Sequence, residues 1–350
     1  MKITERLFGE LPNGNAAKLF TFETEKELTI SITNYGGIIT SVLMPDRHGV
    51  KEEICAGFDN LSNYLKGHPH FGVLVGRYAN RIANGKFAID GKIYNLPINN
   101  GPNHLHGGNN GFHTKLWNYK IENEQNRISL ILSHTSNHLE EGYPGNLEVI
   151  VKYTIADDNS LQIHFTAKTD MPTHVNLTSH GYFNLSGFKE SISKHKLMLN
   201  AKRYIEVNKN QIPTGQLANC ENTPFDFSEF KYLAPSIQKI PGGLDHCFKL
   251  LNSGLTESPA AILKHESTGR SITVYTTQPG IQVYTGNSLD GSIKGHNNTI
   301  YQKQAAVCLE TQHFPDTPNQ PNFPSTLLKP YEEYNHVVKY VFGIEYRSAF

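Results

Sequence analysis

The sequence predicts an all-β fold: a large antiparallel β-sandwich with few short helices. Apolar residues alternate with polar ones at period two over long stretches, the mark of half-buried strands. Glycine and proline are frequent, 29 and 18 in 350 residues, and they break the alternation into short segments. Apolar residues at helical spacing are scarce. Many short strands separated by turn formers belong in sandwiches and barrels rather than in sheets wrapped by helices.

In chain order, Leu28, Ile30 and Ile32 alternate with Glu27, Thr29, Ser31 and Thr33 and define a strand. A short helical turn is expected over Leu61 to Leu65, with Asp59 as its capping residue. Phe87 to Tyr94 reads as a tight hairpin, because Asp90-Gly91 suits a two-residue type I′ turn. Strands follow near residues 118–134. Val149, Val151, Tyr153 and Ile155 then alternate up to the turn formers Asp157 to Ser160. Beyond these, Leu161, Ile163, Phe165 and Ala167 resume the pattern, which makes a second hairpin. Alternation returns near 271–277, 281–286, 305–311 and 335–342. Between the last two, Phe314 to Pro330 carries Pro315, Pro318, Pro321, Pro324 and Pro330. A flexible linker has no use for Phe314, Phe323, Leu327 and Leu328, so an ordered loop packed on the main body is expected. No repeat or low-complexity tract divides the chain, and residues 1–350 are expected to form one domain.

Composition narrows the partners. The chain has 32 Lys+Arg against 32 Asp+Glu, and charged residues make up 18%, below the roughly 25% of soluble proteins. Zero net charge gives no broad attraction for phosphate backbones or anionic membranes. Neither nucleic acid nor a membrane is therefore expected as a partner, and an uncharged small ligand suits the chain better. No run approaches the roughly 18 apolar residues of a membrane helix, and the first residues lack a signal-peptide core. Cys55, Cys220, Cys247 and Cys308 lie far apart without a CxxC pair and read as reduced, mostly buried thiols. A cytoplasmic location is expected.

Four polar segments interrupt the strands: 75–83 with Arg77, Asn80 and Arg81; 99–108 with His104 and His106; 173–185 with His180; and 308–316 with Glu310. Gly242-Gly243-Leu244-Asp245-His246-Cys247 lies between the last two. His104 and His106, on alternate positions, suit either a metal or ordinary hydrogen bonding, but glycines and asparagines stand where a cupin-type site wants a carboxylate. No serine sits in GxSxG and no phosphate-cradling glycine loop is present. Asp245 and Glu310 have the residue types of a glycosidase pair. Glu310, at the end of the apolar run Ala305 to Leu309, is either a strand-end surface residue or a partly buried functional acid. His180, between Leu177 and Tyr182-Phe183, is either a satisfied core histidine or a catalyst.

Taken together, these segments resemble the aldose 1-epimerase, or galactose mutarotase, family. The resemblance runs through Asn34-Tyr-Gly-Gly-Ile-Ile, Phe71-Gly-Val-Leu-Val-Gly-Arg-Tyr-Ala-Asn-Arg-Ile-Ala83 and Leu96-Pro-Ile-Asn-Asn-Gly-Pro-Asn-His-Leu-His-Gly-Gly108. It continues through Gly111-Phe112, Trp117, Asn176-Leu-Thr-Ser-His-Gly-Tyr-Phe-Asn-Leu185 and Thr277-Gln-Pro-Gly-Ile-Gln-Val-Tyr-Thr-Gly-Asn287. Leu309-Glu-Thr-Gln-His-Phe-Pro-Asp316 and Pro318-Asn-Gln-Pro-Asn-Phe-Pro324 complete it, in family order over nearly the whole chain. The resemblance implies the galactose mutarotase-like supersandwich. It implies Glu310 as catalytic base and His180 as catalytic acid. Asn80, Arg81, His106 and Asp245 match substrate-binding positions, and Gln282 falls where the family places a residue over the sugar. Ser179 and Gly181 depart from the pattern, which has Asn or Gln before the histidine and Ser or Thr after it.

The implied reaction interconverts α and β anomers of free aldohexoses such as galactose and glucose. A base takes the proton of the anomeric hydroxyl while an acid protonates the ring oxygen. The ring opens, the aldehyde rotates, and closure on its other face inverts the centre. No redox step or phosphate is involved, so no cofactor and no metal are expected, and the partner is a monosaccharide. Glutamate is ionised at pH 7, and partial burial strengthens it as a base. Histidine is expected to stay protonated beside a negative charge. A non-catalytic sugar-binding protein on the same fold is the alternative; it keeps Asp245 and Arg81 but can dispense with Glu310 or His180. Oligomeric state, monomer or homodimer, is left open.

Overall fold

The alternating segments become strands, and every pairing between them is antiparallel. The computed structural model describes residues 1–251 and 258–346. Lys2–Glu10, Ala16–Glu23, Thr29–Thr33, Ile39–Pro45 and Lys51–Glu53 form a five-stranded sheet in chain order. A nine-stranded sheet runs Asn118–Glu124, Arg127–Ser136, Leu147–Ala156, Ser160–Thr169, Tyr334–Ile344, Arg270–Thr276, Ala261–Lys264, Lys196–Leu199 and Lys231–Tyr232. A six-stranded sheet runs Tyr182–Phe183, Val307–Gln312, Gly280–Tyr284, Asp245–Leu250, Ala201–Val207 and Pro213–Asn219.

The longer of the two expected hairpins shows why register follows pattern. Leu147–Ala156 pairs with Ser160–Thr169 so that Val149 meets Ala167, Val151 meets Phe165, Tyr153 meets Ile163 and Ile155 meets Leu161. Slipping by one residue would turn all eight towards water. These side chains pack on Phe183, Phe248, Ile281, Val283, Val307 and Leu309 of the six-stranded sheet, and this shared layer is the main core. The shorter hairpin pairs Lys86–Ile89 with Lys92–Asn95, with Asp90 and Gly91 both at positive φ as a type I′ turn requires. The proline-rich stretch is ordered. Phe314 and Phe323 meet edge to face at 5.2 Å, and Leu327–Leu328 pairs with Thr173–His174.

One local expectation needs correcting. The helix Leu61–Leu65 forms, but its cap is Asn60, whose side chain accepts the Asn63 N–H at 3.1 Å. Asp59 lies one residue too early and instead sits 2.6 Å from His296 Nδ1. A second helix, Leu233–Lys239, has too few turns to display a period, and its Pro235 falls in the first turn, where a missing N–H costs little. All four cysteines are buried and free. Among the described residues, no helix is long and apolar enough to cross a membrane.

Candidate active site

Side chains along a strand point alternately to its two faces, and paired residues share a face. In the six-stranded sheet one face carries the core residues just named. The register Tyr182–Cys308–Tyr284–Asp245 and, one step along, Glu310–Gln282–Cys247 places these seven on the opposite face. His180, two residues before Tyr182, joins them. Above this face lies a cavity of about 450 Å³, lined by Glu310, His180, Asp245, Arg81, Asn80 and His106, with His70, Tyr182 and Tyr284 among the further lining residues. Sites on four separate polar segments of the sequence therefore converge.

The other wall is built by the segment from Gly72 to Ile82. The His180 N–H donates to the Val73 carbonyl and the Gly72 N–H to the His180 carbonyl, both at 2.9 Å, which continues the pairing of Thr178–Ser179 with Leu74–Val75. Arg81–Ile82 pairs with His104–Leu105. Asn80 and His106 both adopt left-handed backbone conformations, at φ 65° and 52°. Asn80 fixes His106 from behind: its N–H donates to His106 Nδ1 at 3.1 Å, and its carbonyl accepts the His106 N–H at 3.1 Å. Because Nδ1 is an acceptor, the neutral ring carries its hydrogen on Nε2, so His106 presents a donor to the cavity. The turn has no room for a side chain at Gly107, where a Cβ would stand 1.9 Å from the Gly76 carbonyl oxygen at φ 82°.

Glu310 and His180 are almost wholly buried, and His180 Nε2 lies 3.5 Å from Glu310 Oε2. Neither Glu310 Oε2 nor His180 Nδ1 has a hydrogen-bond partner among the described residues. Burial pushes the Glu310 carboxyl well above the usual range; the Asp245 charge adds to this, and Arg81 opposes it. Burial also pulls the His180 imidazole down to about 3, with His70 contributing. The expectation of a histidine held protonated by a neighbouring charge is thus reversed by desolvation, which drives both groups towards their neutral forms. Carboxylic acid plus imidazole contains the same number of protons as carboxylate plus imidazolium. One proton moving across the gap converts one pair into the other.

Asp245 is held at the cavity rim. Gln282 Nε2 donates to its Oδ1 at 2.7 Å, and Arg81 Nη2 lies 3.8 Å from Oδ2. Arg81 Nε in turn donates to Asn100 Oδ1 at 3.0 Å. Gln282 stands behind Asp245 and pairs with Glu310 across the strands; it is absent from the cavity lining and orients the carboxylate. Arg77 is spent elsewhere: its guanidinium donates to the carbonyls of Ser136, Asn137, Pro144 and Gly145 and leaves nothing for a phosphate.

A metal fits poorly. His104 has both ring nitrogens engaged, Nδ1 2.7 Å from the Pro97 carbonyl and Nε2 2.8 Å from the Tyr143 hydroxyl. His106, His180 and Glu310 bring one ligand atom each to within 4.8 Å of one another. Ligation by His106 Nε2 would require it to lose the hydrogen that the Asn80 N–H assigns to it. Sequence reasoning passed over His70, Asn100 and Tyr182. Tyr182 was reachable, since position 180 plus two shares the face of His180, and their rings stack at 5.0 Å and 13°.

The whole chain can be set beside known proteins. The model of a family described as aldose 1-epimerase matches residues 18–341. A galactose mutarotase from Sus scrofa is 42% identical over 347 residues, covering 98% of this chain and 99% of that protein. An aldose 1-epimerase from Escherichia coli K12 is 33% identical over 341 residues, covering 95% and 97%. The crystal structure of an aldose epimerase homologue from C. elegans superposes with a TM-score of 0.87 at 30% identity, covering 94% of this chain and 99% of that one.

Proposed function

The chain belongs to the aldose 1-epimerase family, and from this premise we propose that its cavity opens and recloses aldohexose rings with Glu310 as base and His180 as acid. The protein is an isomerase acting on a small sugar, interconverting α and β anomers. The observation that carries the residue roles is the buried pair 3.5 Å apart. The anomeric hydroxyl and the ring oxygen are separated by a single carbon, so the groups that serve them must also be close neighbours. His106 also comes within 4.8 Å, but its hydrogen is fixed on Nε2 by Asn80, which makes it a donor to a hydroxyl rather than a proton shuttle. His180 Nδ1 is free of such a constraint.

In the ring-opening step, the Glu310 carboxylate accepts the proton of the anomeric hydroxyl while the His180 imidazolium delivers one to the ring oxygen. The C1–ring oxygen bond breaks and C1 becomes an aldehyde. The enzyme is left as carboxylic acid and imidazole, the forms that burial favours. Desolvation of the charged pair therefore assists the proton transfers in the direction of opening. Rotation about C1–C2 and the reverse transfers complete inversion. Each positioned group is worth about 10²–10⁴-fold. Asp245 accepts from sugar hydroxyls, and Arg81 and His106 donate to others. No step calls on a cofactor. A binding protein without catalysis has no use for a carboxyl and an imidazole forced so close and so dry. We further propose that residues 1–350 act as one domain in the cytoplasm.

Polarimetry of α-galactose tests the roles. His180→Asn should lose at least a hundredfold in turnover with the fold intact, and near wild-type turnover would overturn the assignment.

A further inference from the structure

His70 belongs to none of the roles above, yet it lines the cavity beside the acid. Its main chain is left-handed, at φ 61°, a conformation that a non-glycine residue holds only when its surroundings impose it. Here they do. The Tyr182 hydroxyl donates to the Pro69 carbonyl at 2.7 Å, the Phe71 N–H donates to His68 Nδ1 at 2.9 Å, and Gly72 is tied to the His180 carbonyl. The His70 ring lies 4.9 Å from that of His106, 5.0 Å from His113, and 6.1 Å from His180, nearly parallel to it at 21°. Neither ring nitrogen has a hydrogen-bond partner among the described residues, although both neighbouring histidines at the cavity are engaged in the site. Burial holds the imidazole at about 4, so at neutral pH it offers one donor and one acceptor.

The ring oxygen of a pyranose is bonded to two carbons, C1 and C5. Glu310 serves the C1 side. His70 meets the site through His180 and His106 and stands outside the close group that these form with Glu310. A side chain beside the acid and away from the base faces C5 and its hydroxymethyl arm. We propose that His70 is a specificity residue that hydrogen-bonds the C6 hydroxyl of a hexopyranose, so that the pocket favours aldohexoses over 6-deoxyhexoses. This rests on the assignment of His180 to the ring oxygen.

The test compares D-galactose with 6-deoxy-D-galactose in the wild type, His70→Phe and His70→Asn. In the wild type, kcat/KM should favour galactose by about tenfold, mostly through KM, because the contact lies away from the reacting bond. His70→Phe, which keeps a ring and loses both nitrogens, should bring the ratio to about one. His70→Asn, which keeps a donor and an acceptor, should retain most of it. An unchanged ratio in His70→Phe, or an equal fall of kcat on both sugars, would overturn the proposal. Failure of the underlying roles shows separately, as galactose turnover surviving in His180→Asn.

Discussion

Replacing Glu310 by glutamine should make the protein inactive and more stable at once. Glu310 is 2% exposed, its Oε2 lacks a hydrogen-bond partner among the described residues, and burial raises its pKa well above the ordinary value. A group whose folded pKa is raised binds its proton more tightly in the folded state, so folding loses free energy as pH rises above the unfolded value near 4.3 and through the folded one. Glutamine keeps the shape, never ionises, and its amide can donate to the neutral His180 imidazole. Relief of an unmatched buried polar group is worth about 1–3 kcal/mol. With about 2.1 cal/mol/K of unfolding entropy per residue, a chain of 350 residues changes its melting temperature by roughly 1.5 °C per kcal/mol. Glu310→Gln should therefore melt about 2–4 °C higher at pH 8, with a smaller gain at pH 5, where the wild-type carboxyl is already protonated. Its mutarotation rate should fall about 10²–10⁴-fold. Calorimetry at the two pH values and polarimetry at pH 7.5 measure both effects. A lower melting temperature at pH 8 would refute the burial argument, and retained turnover would refute the base.

Three further outcomes follow from named contacts. His174, His180 and His195 are buried and held at about 4, 3 and 3, and His195 Nε2 accepts the Leu185 N–H. As pH falls below 6.5 the unfolded chain gains protons that these residues refuse, each at about 1.4 kcal/mol per pH unit. With Glu310 offsetting part of this, and with His68, His70, His113, His313 and His336 held down by burial in the same way, stability to urea should drop by at least about 2 kcal/mol between pH 7 and 5.5; a constant midpoint would contradict it. Gly107→Ala should cost at least about 2 kcal/mol and depress activity by displacing His106, since its Cβ meets the Gly76 carbonyl at 1.9 Å; melting and kinetics show whether the turn yields instead. Asp245→Asn should raise KM for galactose about tenfold or more with a smaller effect on kcat, and an unaltered KM would remove Asp245 from binding.

Much of this was legible because strands write themselves in alternation. The hairpin of Leu147–Ala156 with Ser160–Thr169 could be drawn residue by residue, and Glu310 stood out as a carboxylate closing an apolar run. The helix Leu233–Lys239 could not be drawn, since its seven residues are held by tertiary contacts of Leu233 and Ile237 rather than by their own periodicity. The cap of Leu61–Leu65 was placed one residue early because aspartate and asparagine adjoin there and both cap well. Protonation was the deepest miss. A glutamate and a histidine read alone keep their ordinary ionisation; only the packing of the sheet and the segment from Gly72 to Ile82 around them reveals how dry they are. His70 was hidden for a similar reason, since a contact among four histidines from distant segments leaves no trace in local pattern.

The six-stranded sheet gives catalysis and folding one reading frame. Leu309 faces the core and Glu310 the cavity; Val283 and Gln282, and Phe183 and Tyr182, divide between the same two faces. A single-residue insertion in Val307–Gln312 would place a carboxylate in the core and a leucine in the cavity, so the lesion that abolishes activity would also abolish the protein. Length variation is thereby barred from these strands and diverted to the rim, where Asn100, Gln211, Pro241, Asn287 and Ser288 surround the opening. New substrate preferences can be tried there, by gain or loss of loop residues, without touching the frame that holds the chemistry.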